Sequence, residues 1–311
     1  MFVVCGEALW DLFVAEGDGG LVMDARIGGS PFNVAVGLAR LGQPSALFTG
    51  LSRDSLGQRL EAALHSEGVA TEFLLRNDRP TTLALVDWGP DGRPVYAFYG
   101  DQSADRAVTA SDLPALSKAV WGLHAGSYSL VVEPVGAALL ALFEAQAGQR
   151  LLTLDPNVRP TVEPDIGLWR DRVERFVALA DLVKVSDEDI DLLYPGRAID
   201  EIAGRWRELG AGSVIVTRGG DGAEAFSAAG KAAVPGRQVA LVDTVGAGDT
   251  FHAALIVGLA ERGYVTGRAV RALDTAALTS LLDFAVAAAS VTCTRRGADL
   301  PRRDELPSQA P

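Results

Sequence analysis

The chain has 311 residues, 48% hydrophobic and 22% charged, which is the balance of a globular protein with enough chain to bury a substantial core. Its formal net charge of −12 argues against nucleic-acid binding, because a polyphosphate backbone requires a clustered cationic surface. Cys5 and Cys293 give neither a disulfide framework nor a zinc-ligand spacing, so we expect buried, reduced thiols and a cytoplasmic location.

Short apolar runs alternate with helical patterns along the chain, which predicts one domain over 1–311 with a mostly parallel α/β sheet covered on both faces. The predicted strands are Phe2–Cys5, Ser45–Phe48, Leu151–Leu154, Leu182–Val185 and Ser213–Thr217. The predicted helices are 32–41, 55–67, 135–148, 168–179, 199–209, 247–261, 267–282 and 283–292. The first strand lacks the basic region of a signal peptide, and we expect no stretch long and apolar enough to span a bilayer.

Two stretches break this alternation. Residues 79–103 contain two β-type runs around Asp91-Gly92, which is typical of a hairpin, and residues 12–29 contain short extended runs around a glycine-rich turn. Together they predict a small β lid beside the main sheet. An ordinary surface hairpin is the alternative.

The most informative segment is Asp243–Phe251, which precedes a helical pattern. Gly246, Ala247 and Gly248 lie at the predicted helix start, where free N–H groups and the helix dipole favour an anion such as a nucleotide phosphate. Asp249 follows in the first turn, where its carboxylate can accept the proton of an attacking hydroxyl. The alternative is a tight turn followed by a helix-start acid without a catalytic role.

A second helix start lies in the segment Gly28–Asn33. Ser30 suits the N-cap position, the two glycines permit close approach of a ligand, and Asn33 offers a donor and an acceptor to vicinal hydroxyls. Asp11 is predicted to end the first strand, at the edge of the sheet where α/β proteins bind ligands. The alternatives are a capped helix after a turn and a solvated loop acid.

Together, Gly28–Asn33 and Asp243–Asp249 resemble the two signatures of the PfkB (ribokinase-like) carbohydrate kinase family, and the resemblance extends from Gly6 to about Pro301. One departure is Ser52-Arg53-Asp54, which stands where the family has a Gly-Asp-Asp-like turn. The resemblance implies a ribokinase-like three-layer α/β core with a β lid, ATP as the phosphoryl donor and a sugar hydroxyl as the acceptor. It also implies Mg²⁺, leaves a role for K⁺ open, and involves neither nucleic acid nor membrane.

The resemblance also assigns roles to individual residues. Asp249 is implied to be the catalytic base, with the amides of Gly246, Ala247 and Gly248 forming the anion hole. The residues implied to bind the sugar or line its site are Asp11, Gly28, Gly29, Asn33, Asn157 and Arg159. Those implied to bind the nucleotide are Lys184, Ser186, Thr217, Gly219, Gly222, Ala288 and Thr292.

The family's Asn-x-x-Glu motif, which helps to place magnesium and phosphates, is altered in this chain. Ser186 stands at the Asn position and Asp189 at the Glu position, so either Glu188 or Asp189 is expected to serve magnesium. Magnesium tolerates such a change because it keeps several water ligands and needs few direct carboxylates. His65, His124 and His252 are too widely spaced to suggest a metal site, and His252 is expected to pack in its helix.

A dinucleotide-dependent oxidoreductase is excluded, because the first strand is not followed by the required glycine fingerprint. A non-catalytic scaffold is disfavoured by the intact Asp249. Among kinases, the Gly29–Ala35 segment resembles fructokinases more than ribokinases, while other ketoses, 2-keto-3-deoxy sugar acids, ribose and nucleosides stay open as acceptors. Gly100 stands where the lid often carries an arginine, and Arg106 is a candidate replacement. We expect a homodimer in which two lids cover each other.

Overall fold

This computed structural model describes residues 1–17, 19–88 and 94–306. These residues contain thirteen strands in two sheets and nine α-helices. The strands are β1 Phe2–Cys5, β2 Leu9–Gly17, β3 Gly20–Gly28, β4 Ser45–Ser52, β5 Leu74–Asn77, β6 Leu83–Trp88, β7 Pro94–Tyr99, β8 Gly122–Gly126, β9 Leu151–Asp155, β10 Leu182–Ser186, β11 Ser213–Thr217, β12 Ala223–Ser227 and β13 Gly230–Val234. The helices are α1 Ser30–Arg40, α2 Ser55–Ser66, α3 Val135–Gln146, α4 Ile166–Val177, α5 Asp187–Leu193, α6 Ile199–Leu209, α7 Ala247–Glu261, α8 Gly267–Arg271 and α9 Thr275–Cys293.

The larger sheet has the strand order β13-β12-β11-β10-β9-β8-β1-β4-β5. It is parallel from β11 to β5 and antiparallel at β12 and β13. In β1, Phe2 and Val4 join one hydrophobic core while Val3 and Cys5 join the other, because successive side chains of a strand point to opposite faces. Helices α1, α2, α7 and α9 contribute to the first core and α3–α6 to the second, which confirms the expected three layers.

The smaller sheet has the order β3-β2-β6-β7 and lies at the carboxyl edge of β1. Two antiparallel hairpins, β2–β3 and β6–β7, are joined by a parallel pairing of β2 with β6 that sets Trp10 opposite Leu83. Both predicted stretches therefore contribute strands to one small sheet, and its role as a lid stays a prediction. The Asp91-Gly92 turn lies outside the described residues.

Several sequence-based boundaries are wrong. The predicted helices 267–282 and 283–292 are instead α8 and α9, separated at Asp274, whose side chain accepts a hydrogen bond from the Ala277 amide at 2.8 Å. Strands β5, β8, β12 and β13 and helix α5 were not predicted. Cys5 is buried as expected, but Cys293 is only half-buried.

Helix α9 is also longer and more apolar than expected. The helix has 19 residues, and an 18-residue window within it has a mean hydropathy of 1.6, which meets the length and composition of a membrane span, so the expectation that no stretch does so is wrong. Half of that window is buried in the protein, and Leu281, Ala285 and Ala288 belong to the core that α9 shares with α7. Packing of this kind is typical of a core helix in a globular protein.

Candidate active site

The site is built where the first turn of α7 meets the first turn of α1. Gly246 precedes α7 in the left-handed region, with φ 78°, and a Cβ there would lie 2.7 Å from Cβ of Ala298. In the part of the chain that the structure describes, the amides of Gly246 and Gly248 have no acceptor. The Ala247 amide instead donates to the Thr244 carbonyl at 3.2 Å, so only part of the expected anion hole is free in this conformation.

Asp249 lies in this first turn and is 8% exposed. Its Oδ1 accepts a hydrogen bond from Ser30 Oγ at 2.6 Å, and its Oδ2 accepts one from Asn33 Nδ2 at 2.8 Å. The expected N-cap role of Ser30 is wrong: Gly29 precedes the helix, and the Ser30 hydroxyl is committed to Asp249. The signal that sequence analysis missed is the i, i+3 spacing of Ser30 and Asn33, which places both on one face of α1.

A buried ion pair lies beside the α7 turn. Lys184 Nζ donates to Asp155 Oδ2 at 2.8 Å, and the same nitrogen is 3.1 Å from where a Cβ of Gly248 would stand. Burial raises the pKa of Asp155 to about 6, with Lys184 opposing the shift and Asp189 and Asp249 adding to it. Burial lowers the pKa of Lys184, but the surrounding carboxylates outweigh it and the net shift is upward. The lysine is therefore a fixed cation next to the free amides.

Asp11 is placed differently from the prediction. It does not end β1, which stops at Cys5, but lies within lid strand β2 and is half-buried. Burial raises its pKa to about 6, with Arg159 lowering the value and Asp249 raising it further. Asp11 therefore lies close enough to Arg159 and Asp249 for their charges to interact, so the three residues share one cleft.

The glycines at the end of β3 make room for these groups. A Cβ at Gly28 would lie 2.1 Å from Asp11 Oδ2. Gly29 has φ 101°, and a Cβ there would lie 2.8 Å from the carbonyl oxygen of Glu7. Gly29 therefore requires glycine, because its positive φ and the nearby backbone exclude a side chain, whereas a side chain at position 28 would displace Asp11.

The loop after β9 supplies the other residues expected near the sugar. Asn157 is half-buried with φ 42°, a left-handed conformation that is uncommon for a non-glycine residue. Arg159 donates to its neighbour's carbonyl, that of Val158, at 3.0 Å. This strained turn places the arginine towards Asp11.

The altered magnesium motif begins α5. Ser186 caps the helix by accepting a hydrogen bond from the Asp189 amide at 3.0 Å. Asp189 is 6% exposed and accepts from the Val158 amide at 2.9 Å, whereas Glu188 is exposed. Because Asp189 also interacts electrostatically with Asp155, it is the carboxylate of the two that faces the site.

The residues expected to bind the nucleotide divide into two groups. Thr217 ends β11, and the turn after it contains Gly219 with φ 50° and Gly222 with φ 103°, which leaves exposed backbone at Gly219. Ala288 and Thr292, on α9, are fully buried. The Thr292 hydroxyl lies 2.8 Å from that of Thr250. Because both Ala288 and Thr292 are fully buried, neither offers a surface to a nucleotide in this conformation, contrary to the prediction.

Two groups of buried polar residues near the site were not among the predicted site residues. His252, with the packing role that was predicted, lies with its ring centroid 4.2 Å from that of His124, and both contact the Thr153 hydroxyl at 3.1 Å. Glu7 is 1% exposed and accepts a hydrogen bond from Ser129 Oγ at 2.5 Å, and burial raises its pKa to about 7. Neither has a sequence signal beyond its residue type.

The chain is similar in sequence and in overall structure to known kinases. The chain is 38% identical over 281 residues to a fructokinase of Rhizobium leguminosarum bv. trifolii, covering 89% of this chain and 85% of that protein. In structure it resembles a fructokinase from Xylella fastidiosa with bound ATP, with a TM-score of 0.86, 26% identity and coverage of 98% and 96% of the two chains. It also resembles aminoimidazole riboside kinase from Salmonella enterica, with a TM-score of 0.82, 26% identity and 98% coverage of both chains. The family model for pfkB family carbohydrate kinases matches residues 19–305, and the chain belongs to that family.

Proposed function

We propose that this kinase transfers the γ-phosphoryl group of ATP to a hydroxyl of fructose. The observation that carries the proposal is the Asp249 carboxylate, held by Ser30 and Asn33 beside the free amides of Gly246 and Gly248. A general base next to an anion site is what phosphoryl transfer to an alcohol requires.

In the proposed reaction, Asp249 accepts the proton as the sugar oxygen bonds to the γ-phosphorus. The bond from that phosphorus to the bridging oxygen breaks, and ADP leaves with the electron pair. The amides of Gly246 and Gly248 and the ammonium of Lys184 stabilise the negative charge of the phosphates. Asp11 and Arg159 orient the sugar.

The carboxylates beside Lys184 fit a magnesium ion. Asp155 Oδ1 is buried and has no hydrogen-bond partner among the described residues, and Asp189 supplies further carboxylate oxygens, the ligand type that Mg²⁺ prefers. We propose that Asp155 and Asp189, and not Glu188, hold the ion directly or through water, where it neutralises phosphate charge. Whether K⁺ also contributes is tested by replacing it with tetramethylammonium in the assay.

The choice of acceptor is tested by measuring ADP release with fructose, ribose, 2-keto-3-deoxygluconate and a nucleoside. Fructose is expected to give the highest kcat/KM, since the relative with 38% identity is a fructokinase. A higher value for another acceptor would reject fructose and leave the kinase assignment intact. The Asp249→Asn variant provides the background rate for every acceptor.

We further propose a cytoplasmic homodimer that is joined through the lids. Two apolar lid residues are already covered within one chain, since Val86 is 1% exposed and Phe98 packs on Tyr128 with 6.1 Å between ring centroids. The apolar surface lies on β3 instead, where Leu21 is 70% and Met23 is 48% exposed. Light scattering on wild type and on Leu21→Glu tests this arrangement, and a wild-type monomer would reject it.

A further inference from the structure

A second cavity lies at the opposite edge of the larger sheet from the candidate active site. It has a volume of about 560 Å³ and is bordered by the residues just before β9 and β10, the end of α4 and helix α8. Strands β9 and β10 begin at this cavity and end at Asp155 and Ser186 in the candidate active site. The cavity therefore has no residue in common with that site.

The charge of its lining is unlike that of the chain as a whole. The chain has a net charge of −12, yet the cavity is lined by Arg150, Arg268 and Arg271 with Asp181 as the one acid among its described lining residues. Asp181 is 5% exposed and pairs with Arg271 at 2.8 Å. The charges of Arg150 and Arg268 are thus left without a carboxylate partner in the lining, so the cavity attracts anions.

Two of the three guanidinium groups are held in place before any ligand arrives. Arg150 donates to three backbone carbonyls and to the Gln146 side chain, all of them uncharged acceptors. Arg271 donates to two carbonyls as well as to Asp181. Because a guanidinium group has about five N–H donors, these contacts leave roughly one donor free on Arg150 and two on Arg271.

Arg268 completes the arrangement. It is exposed, lines the cavity, and has no hydrogen-bond or ion-pair partner among the residues that the structure describes. All its donors are available to a ligand. A fixed pair of arginines with a third free one suits an anion that accepts several charge-assisted hydrogen bonds.

We propose that this cavity binds a small organic phosphate. A phosphate monoester carries nearly two negative charges at neutral pH, which matches the uncompensated charge of the lining. The volume exceeds that of inorganic phosphate, and the side chains of Ala147, Leu179 and Ala272 offer apolar surface to an organic portion. The proposal is independent of which sugar the kinase phosphorylates.

The test is isothermal titration calorimetry of the full chain with glycerol 3-phosphate, using glycerol as the uncharged counterpart. Wild type is expected to bind the phosphate and not glycerol. Arg268→Ala should weaken binding by about tenfold, since a charge-assisted hydrogen bond contributes roughly that much, and Arg268→Glu should abolish it. Both variants should unfold close to the wild-type temperature, because Arg268 is exposed and makes no hydrogen bond or ion pair with a described residue.

Arg59→Ala is the matched control, since Arg59 is exposed on α2, away from the cavity. It removes the same charge and should leave binding unchanged. The proposal is overturned if wild type does not bind glycerol 3-phosphate, or if the two alanine variants weaken it equally. It is also overturned if saturating ATP displaces the ligand completely, because binding would then be at the candidate active site.

Discussion

Asn33 donates a hydrogen bond to Asp249 at 2.8 Å, so that a side chain near the beginning of the chain orients a carboxylate near its end. Ser30 holds the other oxygen of the same carboxylate. Each oxygen retains a lone pair for a substrate hydroxyl, because a carboxylate oxygen accepts about two hydrogen bonds. The two signature segments of the sequence therefore meet on one functional group.

Replacing Asp249 by alanine removes the proposed base. We expect kcat to fall by about two to four orders of magnitude, with the affinities for fructose and ATP largely retained. Steady-state kinetics and calorimetry measure the two effects. Asp171→Ala, at an exposed position of α4, is the matched control, and a variant at Asp249 that keeps a tenth of the wild-type kcat would show that another group is the base.

Ser30→Ala and Asn33→Ala each remove one of the hydrogen bonds that orient Asp249. We expect each to lower kcat by about tenfold with a smaller effect on KM, because a buried hydrogen bond to a charged group contributes roughly 1.5–3 kcal/mol. Ser66→Ala on α2 serves as the control. If Asn33→Ala instead raises KM at constant kcat, Asn33 binds the sugar directly, as the sequence alone had suggested.

The raised pKa of Asp11, about 6, predicts an acid limb in the activity profile. Ionised Asp11 can accept sugar hydroxyls with both oxygens, whereas protonation turns one oxygen into a donor, so kcat/KM for fructose should decrease as the pH falls below about 6. Asp11→Asn should lower kcat/KM at neutral pH and shift or remove this limb. A limb unchanged in the variant would have to be assigned to another group, with Asp155 the first to examine.

Glu7 predicts a pH dependence of stability. Its pKa is raised from 4.5 to about 7, so the folded state binds more protons than the unfolded state in that interval, and the free energy of unfolding falls as the pH rises through it. One pKa unit corresponds to about 1.4 kcal/mol, so the loss is of the order of 3 kcal/mol and is complete above pH 7.

Glu7→Gln cannot ionise and should escape this loss. Urea denaturation should give similar free energies for variant and wild type below pH 4.5 and a more stable variant above pH 7. Glu72→Gln, at an exposed position, is the control and should follow wild type throughout. A constant difference between Glu7→Gln and wild type at all pH values would contradict the burial argument.

Fructose is expected to order the lid. Because phosphoryl transfer to water competes with transfer to the sugar, closure that excludes solvent should slow amide exchange in β2, β3, β6 and β7 and reduce ATP hydrolysis. Hydrogen exchange with and without fructose measures this, with buried strand β10 as an internal reference. Equal exchange of the lid strands in both states would reject closure.

The layered core and the helix start at Asp249 could be predicted because they depend on local patterns. Strand β8 could not, since its sequence Gly122–Gly126 contains few β-forming residues and is kept extended by its neighbours β1 and β9. The break between α8 and α9 was missed because apolar residues continue on both sides of the cap at Asp274.

Sequence analysis provides candidate site residues but not the contacts between them. Sequence analysis assigned Asp249 and Asn33 to separate partners, whereas the fold makes them partners of each other. Their separation along the chain leaves no local pattern from which such a contact can be derived. The same holds for Asp11, whose position on the lid follows from the early end of β1.

The pairing of Trp10 with Leu83 has a consequence for the order in which the chain assembles. Each hairpin of the smaller sheet pairs strands that are consecutive in the sequence, but joining the two hairpins closes a loop that contains β4 and β5 of the larger sheet. Loop closure costs entropy before the contact compensates for it. We therefore expect the larger sheet to form first and the smaller sheet, which covers the cleft, to assemble in the last step of folding. A nascent chain then reaches its active form only after its core is complete.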